Sequence, residues 1–172
     1  MMRWVGVLAR LVVGGVWLYA GAQKLPHPDT SVSAVRAYQL LPTGLADTVG
    51  HVLPMLEIVV GGCLVLGLLL RFTGAVSALL LLAFVIGIVS VWSRGIAINC
   101  GCFGNGGADA DAFGKYPWEI ARDTGLLALS LLLVWRPRTP FAVDNLLFRP
   151  IPAEPAPENA PTGGRRDVEA KS

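Results

Sequence analysis

Val52–Trp92 reads VLPMLEIVVGGCLVLGLLLRFTGAVSALLLLAFVIGIVSVW, and its charged residues are Glu57 and Arg71. A hydrocarbon core is crossed by roughly 20 apolar residues rising about 1.5 Å each. Arg71 therefore divides the stretch into two membrane helices, Val52 to Leu70 and Phe72 to Trp92. Only Arg71 and its neighbours remain to reverse the chain, which predicts a tight antiparallel hairpin.

Two further apolar segments flank this hairpin. Trp4 to Gln23 lies between Arg3 and Lys24, and Trp118 to Trp135 carries Glu119, Arg122 and Asp123 in its first turns. The last can span only if those charges sit at the interface or face protein. The whole chain is 53% hydrophobic and 15% charged, with a mean hydropathy of +0.58, a composition made for lipid. A net charge of +2, scattered along the sequence, leaves no basic stripe for nucleic acid. The expected fold is all-α: a polytopic four-transmembrane-helix bundle embedded in the bilayer. Arg3, the run Leu11 to Val16 and Ala20-Gly21-Ala22 also suit a cleaved leader. Arg10, Trp17 and Lys24, however, recur every seven residues on one helical face, a stripe that a retained helix explains better.

Asp29 to Pro42, DTSVSAVRAYQLLP, begins with capping residues and spaces Val32, Val35, Tyr38 and Leu41 three apart. That is a short amphipathic helix on the external membrane surface. From Pro150 the chain is proline-rich without apolar periodicity, so a membrane domain over 1–140 is expected to precede a largely disordered cytoplasmic tail over 141–172. Four crossings put both termini on one side and both long connections on the other. Arg3, Arg71, Arg136 and Arg138 nearly balance Lys24, Arg36, Arg94 and Lys115, with Arg10 and Arg149 tipping the termini inward. The plasma (inner) membrane with an external loop at Ser93–Pro117 is the expected arrangement.

That loop holds INCGCFGNGG, Ile98–Gly107. In an extended chain the Cα atoms of Cys100 and Cys102 would lie about 6.6 Å apart with side chains on one face, at the edge of disulfide geometry. A bend at Gly101 would close the gap, giving a strained small ring of the labile kind used in thiol–disulfide exchange. A structural disulfide, or two free thiols in a glycine-rich turn, fits the same letters. No metal site is expected, because His27 and His51 lie in another loop and zinc requires four ligands, although two thiolates would suit copper(I). Cys63, mid-span among leucines and glycines, reads as a small hydrophobe.

Glu57 is a carboxylate inside a span, and such groups face the bundle interior. Six residues after His51, it lies roughly 9 Å below the surface that carries the thiols. Arg94, Arg122, Asp123 and Lys24 fall near the same level, so a charged layer beneath Cys100 and Cys102 is expected. In such a layer an arginine can stabilise a thiolate and Glu57 can carry a proton. The same charges can equally neutralise one another and fix helix register.

GAQKL at Gly21–Leu25, AVRAYQLLP at Ala34–Pro42, LPMLEIVVGG at Leu53–Gly62, LGLLLR at Leu66–Arg71 and INCGCFG at Ile98–Gly104 resemble the MauE/DoxX-type redox-associated membrane proteins over about residues 4 to 136. The resemblance implies a four-helix membrane protein tied to thiol–disulfide chemistry as an oxidoreductase component. Its methylamine-utilisation members are associated with maturation of a disulfide-rich enzyme subunit. The architecture is also similar to quinone-coupled disulfide-generating proteins, which implies a quinone as a candidate electron acceptor. Those proteins use CxxC and a second external pair, whereas this chain has CGC and Cys63. A thioredoxin-fold or other thiol-containing extracytoplasmic partner would complete the relay. Against exchange stands a non-catalytic scaffold of a redox assembly, its CGC loop merely structural.

Overall fold

Residues 2–135 are described in a computed structural model, and the expected Pro-rich tail lies outside them. The apolar runs form long helices because a backbone in lipid must satisfy its own N–H and C=O groups. They are α1 (Met2–Lys24), α2 (Pro28–Ala37), α3 (Thr43–Leu66), α4 (Leu70–Ser93) and α5 (Ala112–Trp135). Helices α1, α3 and α4 are long and apolar enough to cross a membrane. Helix α5 is as long, but Glu119, Arg122 and Asp123 in its first half set it apart. Side chains such as Leu8, Val59, Phe72, Leu79 and Ile86 point outward and exposed, a surface suited to lipid. The chain is an all-helical, multi-pass membrane protein.

The reversal at Arg71 lies a few residues earlier than expected. Helix α3 ends at Leu66 because Gly67 adopts φ 74°, ψ 39°, the left-handed conformation that glycine takes at a helix end without a Cβ penalty. Its N–H and that of Leu68 return to the carbonyls of Leu64 and Cys63 at 3.2 and 2.8 Å. Helix α3 also starts at Thr43, well before Val52, so Pro54 sits inside it.

The expected tight packing of the second and third spans is corrected. Helices α3 and α4 touch little; α3 packs on α1, and α4 on α5. The reason is the distribution of small residues. A Cβ on Gly14 would lie 3.0 Å from the Gly61 carbonyl, and one on Gly61 would lie 2.9 Å from that of Gly14 and 2.8 Å from the Leu18 nitrogen. The two backbones thus touch directly, as small-residue crossings in membranes allow. Trp17 Nε1 donates to Ser77 Oγ at 2.7 Å, and Ser77 bonds Ser130 Oγ at 2.9 Å. This buried chain ties α1 to α4 and α4 to α5. Around it Val13, Leu64, Leu81 and Leu133 close the core.

Helix α2 is shorter than the expected Asp29–Pro42 segment, and Gln39 at φ 53° ends it. Rather than only resting at the surface, it buries Ser31, Val32 and Ala34, with Val32 against Gly50 of α3.

Gly61→Ala should force α1 and α3 apart and destabilise the fold by about 1–3 kcal/mol, the usual cost of overpacking. Gly62→Ala, where an added Cβ meets nothing within 4 Å, should be neutral. Thermal unfolding of the two variants in detergent measures the difference.

Candidate functional site

The segment between α4 and α5 folds back on itself. Ile98 and Ala108 form an antiparallel bridge, and Asn99 N–H donates to the Gly107 carbonyl at 2.9 Å. Two tyrosines hold this hairpin down. Tyr116 accepts from Ile98 N–H at 3.0 Å and donates to the Ile96 carbonyl at 2.8 Å. Tyr38 donates to the Cys100 carbonyl at 2.7 Å.

Gly101 supplies the expected bend, at φ 70°. It serves a second purpose that the sequence did not disclose. A Cβ there would meet Ala34 at 2.6 Å, and one on Gly106 would meet the Thr30 carbonyl at 2.5 Å. The glycines let the loop lie flat on α2, which buries Cys100 to 8% and Cys102 to 6% exposure. Being in a loop outside the spans does not leave the thiols exposed: the apolar contacts of Ile98, Ile88 and Tyr116 draw both cysteines into a core cluster.

Both cysteines are free thiols. Cys102 N–H points at Cys100 Sγ at 3.4 Å, and Cys102 Sγ lies 4.0 Å from Asp123 Oδ2, the long limit of a thiol hydrogen bond. The two thiols are unequal. Hydrogen bonding from Cys102 pulls the Cys100 thiol below its ordinary range, against the opposing effect of burial. The same bond, with burial and the nearby negative charge of Asp123, pushes Cys102 well up. Cys100 is therefore the thiol that ionises first.

Beneath Cys102 lies a cavity with about 20 Å³ available to the centres of water-sized molecules, room for one water. Glu57, Cys102, Phe103, Arg122 and Asp123 line it. Arg122 Nε donates to Asp123 Oδ1 at 2.9 Å, and its guanidinium stacks 4.6 Å from the Phe103 ring centre. Lys24 Nζ reaches Glu57 Oε1 at 2.5 Å, with the two side chains 2% and 0% exposed. Glu57 Oε2 has no hydrogen-bond partner among the described residues. The expected charged layer thus contains Lys24, Glu57, Arg122 and Asp123. Arg94 stands apart, exposed and donating to the carbonyls of Tyr38 and Ser90. It holds the end of α2 rather than the thiols.

A larger apolar cavity of about 290 Å³ opens between α2, α3 and α4, lined by Val35, Tyr38, Leu53, Leu80, Phe84 and Gly87. Phe84 also walls the thiol cavity. The lining of the larger cavity is apolar apart from the Tyr38 hydroxyl, which is engaged with the Cys100 carbonyl.

Sequence reasoning missed the two tyrosine clamps and Glu119, whose Oε2 is buried with no hydrogen-bond partner among the described residues. Its four-residue spacing from Asp123, which places both on one helical face, was the available signal.

The family model described as methylamine utilisation protein MauE matches residues 2–136. Methylamine utilization protein MauE of Methylorubrum extorquens is 33% identical over 118 residues, which cover 67% of this chain and 61% of the relative. The match thus takes in less than two thirds of that relative's length. No solved structure matches the chain.

With its thiol held below the ordinary range, Cys100 should be alkylated by iodoacetamide at lower pH than Cys102, whose thiol is held above it. Residue-resolved mass spectrometry across a pH series measures the order. Lys24→Met should strand the buried Glu57 carboxylate at a cost of about 3–5 kcal/mol, while the double change Lys24→Met/Glu57→Leu should recover most of it. Folded protein per cell, quantified after membrane extraction, reports both.

Proposed function

The chain belongs to the MauE family, and on that basis we propose that it is a membrane thiol–disulfide exchange protein serving methylamine utilisation. Cys100 is the attacking thiol and Cys102 the resolving one. The observation that supports this reading is the geometry of the pair: Cys102 N–H points at Cys100 Sγ at 3.4 Å, and Cys102 Sγ lies 4.0 Å from Asp123 Oδ2.

The chemistry is reversible. The Cys100 thiolate attacks one sulfur of a partner disulfide, that S–S bond breaks, and a mixed disulfide forms. Cys102 then attacks Cys100 Sγ, which closes the Cys100–Cys102 bond and frees the partner as a dithiol. Run backwards, the same steps oxidise a partner dithiol. The partner is an extracytoplasmic protein with a reactive thiol pair, of thioredoxin-fold type, because this chain has CGC and Cys63 but no second loop pair.

In this reading α5 is the fourth span, its charges turned to the cavity and the external interface. The termini lie on the cytoplasmic side of the plasma membrane and the hairpin lies outside, where disulfides persist. Arg122 steadies developing thiolate charge. Glu57, held by Lys24, relays a proton through the water-sized cavity. Burial of both thiols requires the hairpin to lift from α2 for a protein partner to reach them.

Cys102→Ser should accumulate a covalent complex, visible on a non-reducing gel as a heavier band that reductant removes, because Cys100 can attack but nothing resolves. Cys100→Ser should give none. If neither variant traps a partner, and the double Ser variant keeps full function at normal abundance, the hairpin is structural and the protein is a scaffold.

A further inference from the structure

We propose that Asp123 is the catalytic base for Cys102: it takes the thiol proton as Cys102 closes the disulfide, and supplies it again when the disulfide opens. This rests on the exchange reading above and adds a catalytic residue to it.

The two oxygens of Asp123 have different neighbours. Oδ1 accepts from Arg122 Nε at 2.9 Å, with Arg122 Nη2 also 2.9 Å away, and this fixes how the carboxylate is turned. Oδ2 is left to Cys102 Sγ at 4.0 Å. A base must come within reach of the proton it removes, and Oδ2 is in that position. Burial makes such a base necessary. Cys102 is 6% exposed and Asp123 3%, so bulk water has little access to the thiol and its proton needs an acceptor inside the protein. The sulfur to be attacked is also at hand, because Cys102 N–H points at Cys100 Sγ.

The surroundings of Asp123 give the proton a place to rest. Cys102 and Asp123 line the water-sized cavity together with Glu57 of α3. Glu57 Oε2 has no hydrogen-bond partner among the described residues, and Oε1 is held by Lys24 of α1. From α4 the cavity receives Leu81 and Phe84, neither of which titrates. On the loop side stand Cys100 and the Tyr38 hydroxyl at its carbonyl. Arg122 and Lys24 thus offset the two carboxylates, and a proton arriving at Asp123 can pass through one water to Glu57.

The protons and electrons balance. The Cys100 thiolate, its proton already released to water, attacks a partner disulfide, and the first partner sulfur leaves with the electron pair of the broken bond. The Cys102 S–H bond then breaks, the proton moves to Asp123 Oδ2, and the sulfur forms the bond to Cys100 Sγ. The mixed disulfide breaks and the second partner sulfur leaves with its electron pair. The cysteine pair is oxidised by two electrons and the partner reduced by two; both partner thiolates take protons from external water. The Cys102 proton stays with Asp123 and Glu57 and returns to the thiol when the steps run backwards.

The test uses the full chain with Cys63→Ala, so that only the loop thiols report, in lipid nanodiscs with dithiobis(nitrobenzoic acid). Attack by Cys100 releases a first nitrothiobenzoate, and ring closure by Cys102 releases a second. Neither leaving group needs a proton, so the two phases separate the two thiols. Below a pH of about 7, where free thiols are largely protonated, Asp123→Asn should leave the first phase unchanged and slow the second by at least about tenfold. That deficit should shrink as pH rises and hydroxide replaces the base. A role for Asp123 as a charge alone predicts the opposite sign, because its negative charge helps to hold the Cys102 thiol up and its removal would quicken ring closure. Asp123→Ala provides a second variant, in which added formate should restore part of the second phase. A second phase unchanged or faster in the Asn variant, or loss of both phases with no recovery by formate in the Ala variant, would overturn the assignment. A parent chain in which mass spectrometry finds no Cys100–Cys102 bond after the reaction would instead overturn the exchange function, and this role with it.

Discussion

Lys24 and Glu57 meet where neither touches water, and an unpaired charge in that setting costs several kcal/mol. The pair therefore sets how far α1 may slide along α3. Only in one register do Gly14 and Gly61 admit each other's backbones and Gly21 clear the Pro54 carbonyl. The same register brings the Gln23 carbonyl under Gly104 and Tyr19 beside Phe103 at 5.7 Å. The platform on which the thiol loop rests is thus a consequence of one ion pair lodged above a glycine crossing. Helices α4 and α5 complete the enclosure through the Trp17–Ser77–Ser130 chain, whose donors and acceptors would be costly to leave unpaired in lipid.

Enclosure changes what the cysteines can do. On an exposed loop, two thiols one residue apart would titrate much as free cysteines. Here the low-dielectric surroundings strengthen every interaction among Cys100, Cys102, Asp123 and Arg122, and the chain's asymmetry separates one thiol from the other. The cost is access, since the hairpin is held by Tyr38 on one side and Tyr116 on the other. In the proposed exchange, a partner that engages Cys100 would compete with both tyrosine bonds.

Much of the architecture was legible from composition and spacing, because lipid imposes a simple rule: an apolar run of sufficient length becomes a helix. The three apolar helices, the surface helix near Asp29, the bend at Gly101 and the gathering of Glu57, Arg122 and Asp123 beneath the cysteines could all be read in this way. Helix ends were less legible. Gly67 stops α3 by adopting a left-handed conformation, yet glycine is equally at home inside the apolar runs, as Gly61 and Gly62 show. Arg94 was grouped with the charged layer by its position along the chain, but it turns to the carbonyls of Tyr38 and Ser90.

By itself the sequence determined the medium, the helical class and the pair of cysteines, since these depend on local hydrophobicity and on residue identity. Which helices touch was decided by tertiary structure alone. Proximity along the chain suggested that α3 would pack on α4, whereas Gly14 of α1 against Gly61 of α3, and Gly74 of α4 against the Ser130 carbonyl of α5, allowed closer contact. Burial of the thiols was likewise decided there. It depends on Ala34 and Thr30 of α2 meeting Gly101 and Gly106, which lie far along the sequence, a fit of surfaces that no local pattern encodes.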